Sequence, residues 1–545
     1  MLMESVITKI EVKNLDHLGL IAGMIDTLGF VAAIDSLLPS EHRVSHGIVV
    51  KALILNAMGF SQHALYLTPA FFERCPVEHL LGADYVASDF NDDRLGRTLD
   101  ALFEYGLNKL FVQLSAKACA NQGIDTSFYH VDSTNFSVEG AYNTAEEDAV
   151  QIRHGFAKDK RTDLKQVTLG LITTYKTAIP RYMQAFDGNA SDKQTLVAMI
   201  KQFLSCFAEG EEVGIFIADA GIYSADNISK DLQNVAWITR VPGTLKEVKD
   251  WIDRTEDADL QDFSTMPGYR YRPVTSNYGG VAQRWLLIQS APLARAVTHT
   301  ETANASKQLA AFEQKIQQQQ GTKKPYFLTE ADLANWLAAL ALKYPLITLD
   351  YAIEEDTYYV KAGKPKEEHR RISYKIGHFK LTTNLAAIEA IAIAKSRFVL
   401  ASNVLDAEKL SDETLLTAYK TQATSVENGF KFLKDPIFFA ESFFVKKQSR
   451  LEALLFLMSL SLLVYALCER KLRAALTETA QTITAQSGKQ AAKPTMRLVF
   501  NLFRGIHIVT LNPETPPFTT NLKPNHIKII NLLGPVFANY YLLPT

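Results

Sequence analysis

Through residues 10–120 the apolar positions recur three and four apart, the spacing that gives a helix one buried stripe. Residues 18–38 form one such amphipathic stretch, and the run VSHGIVVKALILNAMGF that follows reads as a largely buried helix. After Asn91, Leu95, Leu99, Leu102 and Phe103 keep helical spacing. Asp92 and Asp93 then occupy a first helical turn, where acids complement the helix dipole. The expectation is a helical N-terminal domain over residues 1–122.

At Thr126 the pattern turns to strands. SFYHVD is a short β run closed by the turn-forming residues Asp132 to Asn135. QVTLGLITTY and RYMQAF follow, then the turn DGN, a helix over 192–207 and the nearly continuous apolar strand VGIFIAD, which stops on Asp219. Three strands, a helix and a fourth strand give an α/β, ribonuclease-H-like order. That order sets the first and fourth strands side by side and brings Asp132 to Asp219. The first part of this core spans 123–236.

Residues 237–406 read as a β-rich insertion, with the strand-like runs AWITRV, RWLLI and RFVLA. Between them lie a glutamine-rich amphipathic helix around Leu309, Phe312 and Ile316 and another around Trp336. The core resumes over 407–476. There Val426, Phe430 and Leu433 form an apolar helical stripe, and Glu427, Lys431 and Lys434 a charged stripe one residue round. Such a helix suits a site that holds metal and grips phosphates. Equally, Thr424 and Glu427 match a capping box, and Glu427 with Lys431 an ordinary surface pair. A polar linker over 477–494 leads into a C-terminal segment ending at 545.

Composition narrows the class. An apolar content of 47%, a charged content of 21% and 545 residues describe a multidomain globular chain. A net charge of −2 leaves any nucleic-acid binding to local patches. One patch is residues 361–380, where seven Lys/Arg, Arg370 and Arg371 among them, face two Glu, with Tyr358, Tyr359, Tyr374 and Phe379 interleaved. It reads either as a solvated charged face or as a backbone groove. Lys446, Lys447 and Arg450 form another. The four cysteines are far apart, without zinc or disulfide spacing, which fits a cytoplasmic protein. The apolar run over 453–468 has 16 residues, short of the ~20 of a membrane span, and reads as a buried core helix.

Three acids remain: Asp132 and Asp219 at strand ends and Glu427 on a later helix. Three carboxylates without His or Cys suit hard cations, Mg²⁺ or Mn²⁺. Two such ions about 4 Å apart serve phosphoryl transfer, with Asp132 bridging both and Asp219 and Glu427 each taking one. Taken singly, Asp132 also reads as an Asx-turn residue and Asp219 as an N-cap.

HVD ending at Asp132, IAD ending at Asp219 and VENGFKFLKDP around Glu427 resemble the three blocks of DDE transposases of bacterial insertion sequences. The resemblance is to the group with a β-rich insertion before the Glu and a Tyr, Arg, Glu, Lys signature around it. KDKRTDLKQ from 158, DGNASD from 187 and NDDRLGR from 91 are similar too. The resemblance implies catalytic and metal-binding roles for Asp132, Asp219 and Glu427, and DNA contact by Lys434. Tyr419 falls one place from the signature Tyr, and the Arg position falls on Gln422 or Ala423. Lys420 offers a point charge instead. The activity implied is cut-and-paste transposition by a homodimer on double-stranded DNA, binding terminal inverted repeats through the N-terminal domain and joining 3′-hydroxyl ends to target DNA. The protein would then be nucleoid-associated in a bacterial cytoplasm, with no membrane partner. The alternatives are a hydrolytic nuclease without strand transfer and a weakened DNA-binding remnant.

Overall fold

The computed structural model describes residues 10–60, 67–140, 142, 146–156, 161–208, 211, 213–321, 327–360, 364, 366–436, 445–512 and 515–543, with the backbone alone at 192, 321, 423 and 424. Residues 158–160 of the KDKRTDLKQ stretch and Lys361 of the basic run lie outside the described residues.

The chain opens with strand β1 (Glu11–Asn14) and helices α1 (Leu18–Leu28), α2 (Phe30–Leu37), α3 (His46–Met58), α4 (Thr68–Phe72), α5 (Val77–Leu81), α6 (Asp92–Tyr105) and α7 (Leu107–Gln122). The amphipathic stretch over 18–38 is two helices rather than one. Gly29 adopts a φ of 65°, and its N–H closes on the carbonyls at the end of α1. At α6 the Asn91 side chain accepts from the Arg94 N–H at 3.0 Å, with Asp92 and Asp93 in the first turn as expected.

Next come β2 (Phe128–Val138), β3 (Lys165–Thr174), β4 (Pro180–Phe186), α8 (Asp192–Leu204), β5 (Ile215–Ala218) and β6 (Trp237–Arg240). β2, β3 and β4 pair antiparallel, β5 runs parallel to β2, and β6 parallel to β5. This is a ribonuclease-H-like core. The first strand does not stop at Asp132, as its sequence predicts, but continues to Val138. β3 pairs Ser133 through Val138 residue by residue, and Thr134, Phe136 and Val138 bury themselves on one face. That burial overrides the weak strand preference of Ser and Asn.

The run AWITRV, expected to open the insertion at 237, forms β6 and belongs to the core sheet beside β5. The insertion then comprises α9 (Lys246–Arg254), β7 (Gln261–Asp262), β8 (Tyr269–Ser276), β9 (Gln283–Ser290), α10 (Ala291–Gly321), α11 (Glu330–Lys343), β10 (Ile347–Tyr359), β11 (Arg370–Thr383), α12 (Leu385–Ser396) and β12 (Arg397–Ser402). Its strands split between two places. β12 returns between β6 and β9, so β7, β8, β9 and β12 extend the core sheet to nine strands in the order β4-β3-β2-β5-β6-β12-β9-β8-β7. The hairpin β10–β11 and helices α10 to α12 instead enclose a separate core around Phe312, Ile316, Leu333, Leu337 and Ile376.

The chain then forms α13 (Asp412–Lys420), α14 (Val426–Leu433) and α15 (Gln448–Glu478). α8 covers one face of the sheet, setting Phe203 against Tyr129 and Phe216. On the other face α13 covers β5 and β6, and α14 covers β2 and β3. α15 is long and apolar enough to cross a bilayer by length and composition, yet 78% of its most apolar window is buried in the protein. α1, α3, α6 and α7 pack around it.

The C-terminal segment holds β13 (Ile483–Thr484), β14 (Gln490–Ala491), α16 (Met496–Leu502), β15 (His507–Thr510), β16 (Phe518–Thr520), α17 (Pro524–Leu533) and α18 (Pro535–Tyr540). The stretch read as a linker is the end of α15 and a hairpin. Ile483 is buried there, and Asn525 bonds the Thr484 N–H and C=O. β15 pairs with β1, and the buried Tyr541 donates to the Asp16 carbonyl at 2.8 Å. One hydrophobic core therefore joins the first helices, α15 and the last helices.

Candidate active site

The parallel pairing of β2 with β5 sets the level of the first two acids. Val131 stands opposite Ala218, so Asp132 and Asp219 follow on neighbouring strands. Asp132 sits where β5 ends and β2 keeps only β3 as partner, which opens a gap at the sheet end. There both carboxylates line a pocket of about 380 Å³ with Arg240, Gly243 and Tyr419. Asp132 Oδ1 accepts from the Ser133 N–H at 2.7 Å. Asp219 precedes a short turn without capping it by its side chain, so the N-cap reading does not account for it. Its carbonyl accepts from the Thr239 hydroxyl at 2.9 Å, and Gln422 Nε2 reaches its Oδ1 at 3.5 Å.

Glu427 lies exposed in the first turn of α14 and does not line that pocket. Two contacts bring its helix close. Ser425 Oγ bonds the Thr173 hydroxyl at 2.9 Å and the Thr174 carbonyl at 3.1 Å on β3, pinning the start of α14 beside β2. Tyr419 joins the acids electrostatically: burial, with the charges of Asp219 and Glu427, pushes its hydroxyl up to about 12 although Arg240 hydrogen-bonds it. The α14 N-cap is Ser425, with no side-chain capping bond; the Thr424 side chain, on which the capping-box reading depends, lies outside the described residues. Among the described residues no three His, Cys, Asp or Glu side chains are gathered into a metal site. Two acids share the pocket and the third stands on the adjoining helix. As donors all three are hard carboxylate oxygens, which fit Mg²⁺ or Mn²⁺.

The residues expected to contact DNA divide. Tyr419 lines the pocket, whereas Lys420 turns away and places its Nζ 3.8 Å from the Tyr269 ring centroid. Lys434 lies over the Phe136 ring at 5.4 Å, on β2 beyond Asp132. Lys431 faces a second cleft toward α15. Arg450 bonds Asp100 on α6 through two nitrogens at 2.8 Å, with Lys447 3.8 Å from the same carboxylate, while Lys446 is exposed. Arg370 and Arg371 pair opposite Tyr359 and Tyr358 at the tip of the β10–β11 hairpin, outside the pocket. Arg240 is the residue that sequence reasoning missed. Its one signal was that the run AWITR carries a charge at its end, as the two Asp strands do. Exposed at the tip of β6, it stands 5.2 Å from the Phe398 ring and supplies a guanidinium to a pocket whose signature position offers only Gln422.

Residues 124–464, which contain all three acids, match the family model described as transposase DDE domain. The chain is a DDE transposase by family. Residues 10–116 of this transposase match a model described as a domain of unknown function (DUF4277). No curated protein matches the chain. Among solved structures the transposase is similar to the piggyBac transposase in its synaptic complex with hairpin DNA, solved by cryo-EM. The identity is 10% and the TM-score 0.36, over 97% of this chain and 88% of that one, a likeness too distant to carry function.

Proposed function

We propose that the protein binds the terminal inverted repeats of its own insertion sequence, hydrolyses one DNA strand at each end and joins the freed 3′-hydroxyls to target DNA. The observation that carries this reading is the pairing of Asp132 with Asp219 in one pocket, beside the helix of Glu427. In the first step water adds to phosphorus as the bond to the 3′-oxygen breaks, leaving a 3′-hydroxyl and a 5′-phosphate. In the second that hydroxyl adds to a target phosphodiester and displaces the target's own 3′-oxygen. Asp132, Asp219 and Glu427 would hold two Mg²⁺ or Mn²⁺ ions, which when bound supply activation of the attacking oxygen and charge for the leaving one. Arg240, steadied by Tyr419, would bind a phosphate oxygen at the pocket mouth as a two-pronged donor. Lys434, Lys431, Lys420, Lys446 and the insertion's Arg370 and Arg371 would contact backbone elsewhere, whereas Arg450 and Lys447 would first have to leave Asp100. A homodimer pairing two ends in the bacterial nucleoid completes the proposal.

The test is incubation with the element's end DNA and Mn²⁺. Wild type is expected to nick the ends, and Asp132→Ala and Glu427→Gln to lose nicking while still binding DNA. Equal cutting by Glu427→Gln would remove Glu427 from the site. Pre-cut ends that are never joined to a target plasmid would reduce the protein to a hydrolytic nuclease.

A further inference from the structure

Between α14, the helix that carries Glu427, and α15 lies a larger cleft of about 940 Å³. Asn428 and Lys431 line it from α14, Arg470 and Arg473 from α15, Lys176 from the turn after β3, and Lys493 and Arg497 from the α16 end. Its charge is positive: these six Lys and Arg face Asp435, Glu469 and Glu478. Two of the cations are already held, Arg473 by Glu469 at 2.7 Å and Arg497 by Asp435 at 2.6 Å. Lys176, Lys431, Arg470 and Lys493 form no ion pair among the described residues.

The turn that presents Lys176 is strained. Lys176 and Ala178 adopt φ values of 63° and 55°, a left-handed conformation that crowds the Cβ of a side-chain-bearing residue. The Thr174–Thr177 hydroxyl bond at 2.7 Å and the Ala178 N–H on the Thr174 carbonyl hold it so. Strain kept by surrounding bonds is a mark of a functional segment. Four cations outside any ion pair, spread over separate elements, do not converge on one small anion. They match instead the repeating charge of a polyphosphate backbone. Lys431, one turn after Glu427, links the cleft to the active site.

Resting on the reading above, we infer that this cleft holds a stretch of DNA phosphate backbone away from the bond being cut. Lys176, Arg470 and Lys493 grip phosphates there without touching the reacting one.

The experiment compares full-length wild type, Lys176→Gln/Arg470→Gln/Lys493→Gln and Asp132→Ala, measuring affinity for end duplex across a salt series and Mn²⁺-dependent nicking at saturating DNA. Every phosphate that a side chain ceases to neutralise lowers the slope of log affinity against log salt by about 0.9, so the triple variant is expected to lose about 2 to 3. Its nicking rate at saturation is expected to stay that of wild type. Asp132→Ala should keep the full slope and lose nicking. A triple Lys/Arg swap (Lys176→Arg/Arg470→Lys/Lys493→Arg) should restore the slope if charge is what acts. A glutamine variant with the wild-type slope overturns the cleft and leaves the nuclease reading standing. A reduced slope with no nicking by wild type supports the cleft and overturns the nuclease reading. No DNA binding by wild type overturns both.

Discussion

Gly429 offers a way to separate the stability of the Glu427 helix from its placement. It lies two residues after Glu427, where α14 crosses α15, and a Cβ built there would stand 3.0 Å from Leu462 Cδ2. For Gly429→Ala two effects oppose. Removing a glycine from a helix favours the folded state by about 0.5–1 kcal/mol. The close contact takes some of that back, but the opposing atom is a terminal methyl that can retreat by a few tenths of an ångström. The net change should lie within about 1 kcal/mol of zero, with nicking unchanged. Gly429→Leu adds three more carbons beside Leu462, on the wall that α14 presents to the cleft. Where they press on Leu462, overfilling costs about 1–3 kcal/mol, and the strain slides α14 outward. Glu427 would travel with it, and a displacement of about 1 Å costs roughly a hundredfold in rate. Thermal unfolding and Mn²⁺-dependent nicking of end DNA on the same preparations measure both terms. A Gly429→Leu protein that nicks at the wild-type rate would refute the claim that this contact positions Glu427. Marked destabilisation of Gly429→Ala would show that the packing term had been given too little weight.

Three further outcomes are expected. Arg450→Ala breaks the half-exposed pair with Asp100 and should lower stability by about 1 kcal/mol at neutral pH; chemical denaturation reads it. The Arg450 bond holds the Asp100 carboxyl below its usual range, so this contribution is present above the ordinary carboxylate pKa and fades as pH falls through the lowered one; the variant and wild type should converge in acid. Glu452 behaves oppositely: burial, with Asp187 and Glu146 near, pushes it up to about 7 although it accepts the Val150 N–H at 2.6 Å. The folded protein keeps that proton after the unfolded chain has lost it, so stability falls as pH rises from about 4.5 to 7. Glu452→Gln should therefore raise the melting temperature at pH 8 and change it little at pH 4.5; equal shifts at both would refute the assignment.

From β2 to β6 the sequence by itself determined the order of strands and helices, because buried strands and amphipathic helices write their periods into local residues. Asp132 and Asp219 were legible for that reason: each sits next to an apolar run whose pairing partner could be guessed. The stripe of Val426, Phe430 and Leu433 was legible too, and it buries as its spacing requires. Only the tertiary structure decided the rest. Thr134 and Phe136 read as turn and loop until β3 offers them a buried face. The 477–494 stretch looks like linker until Asn525, far along the chain, clamps it. Arg240 gains its place beside the acids from β5–β6 pairing, and Arg450 is drawn to Asp100 by the packing of α6 on α15. Short-range order follows from propensity and period, which neighbours in sequence carry. Which charges meet depends on pairing and packing between separate elements, some of them hundreds of residues apart, and periodicity within one element does not record those contacts.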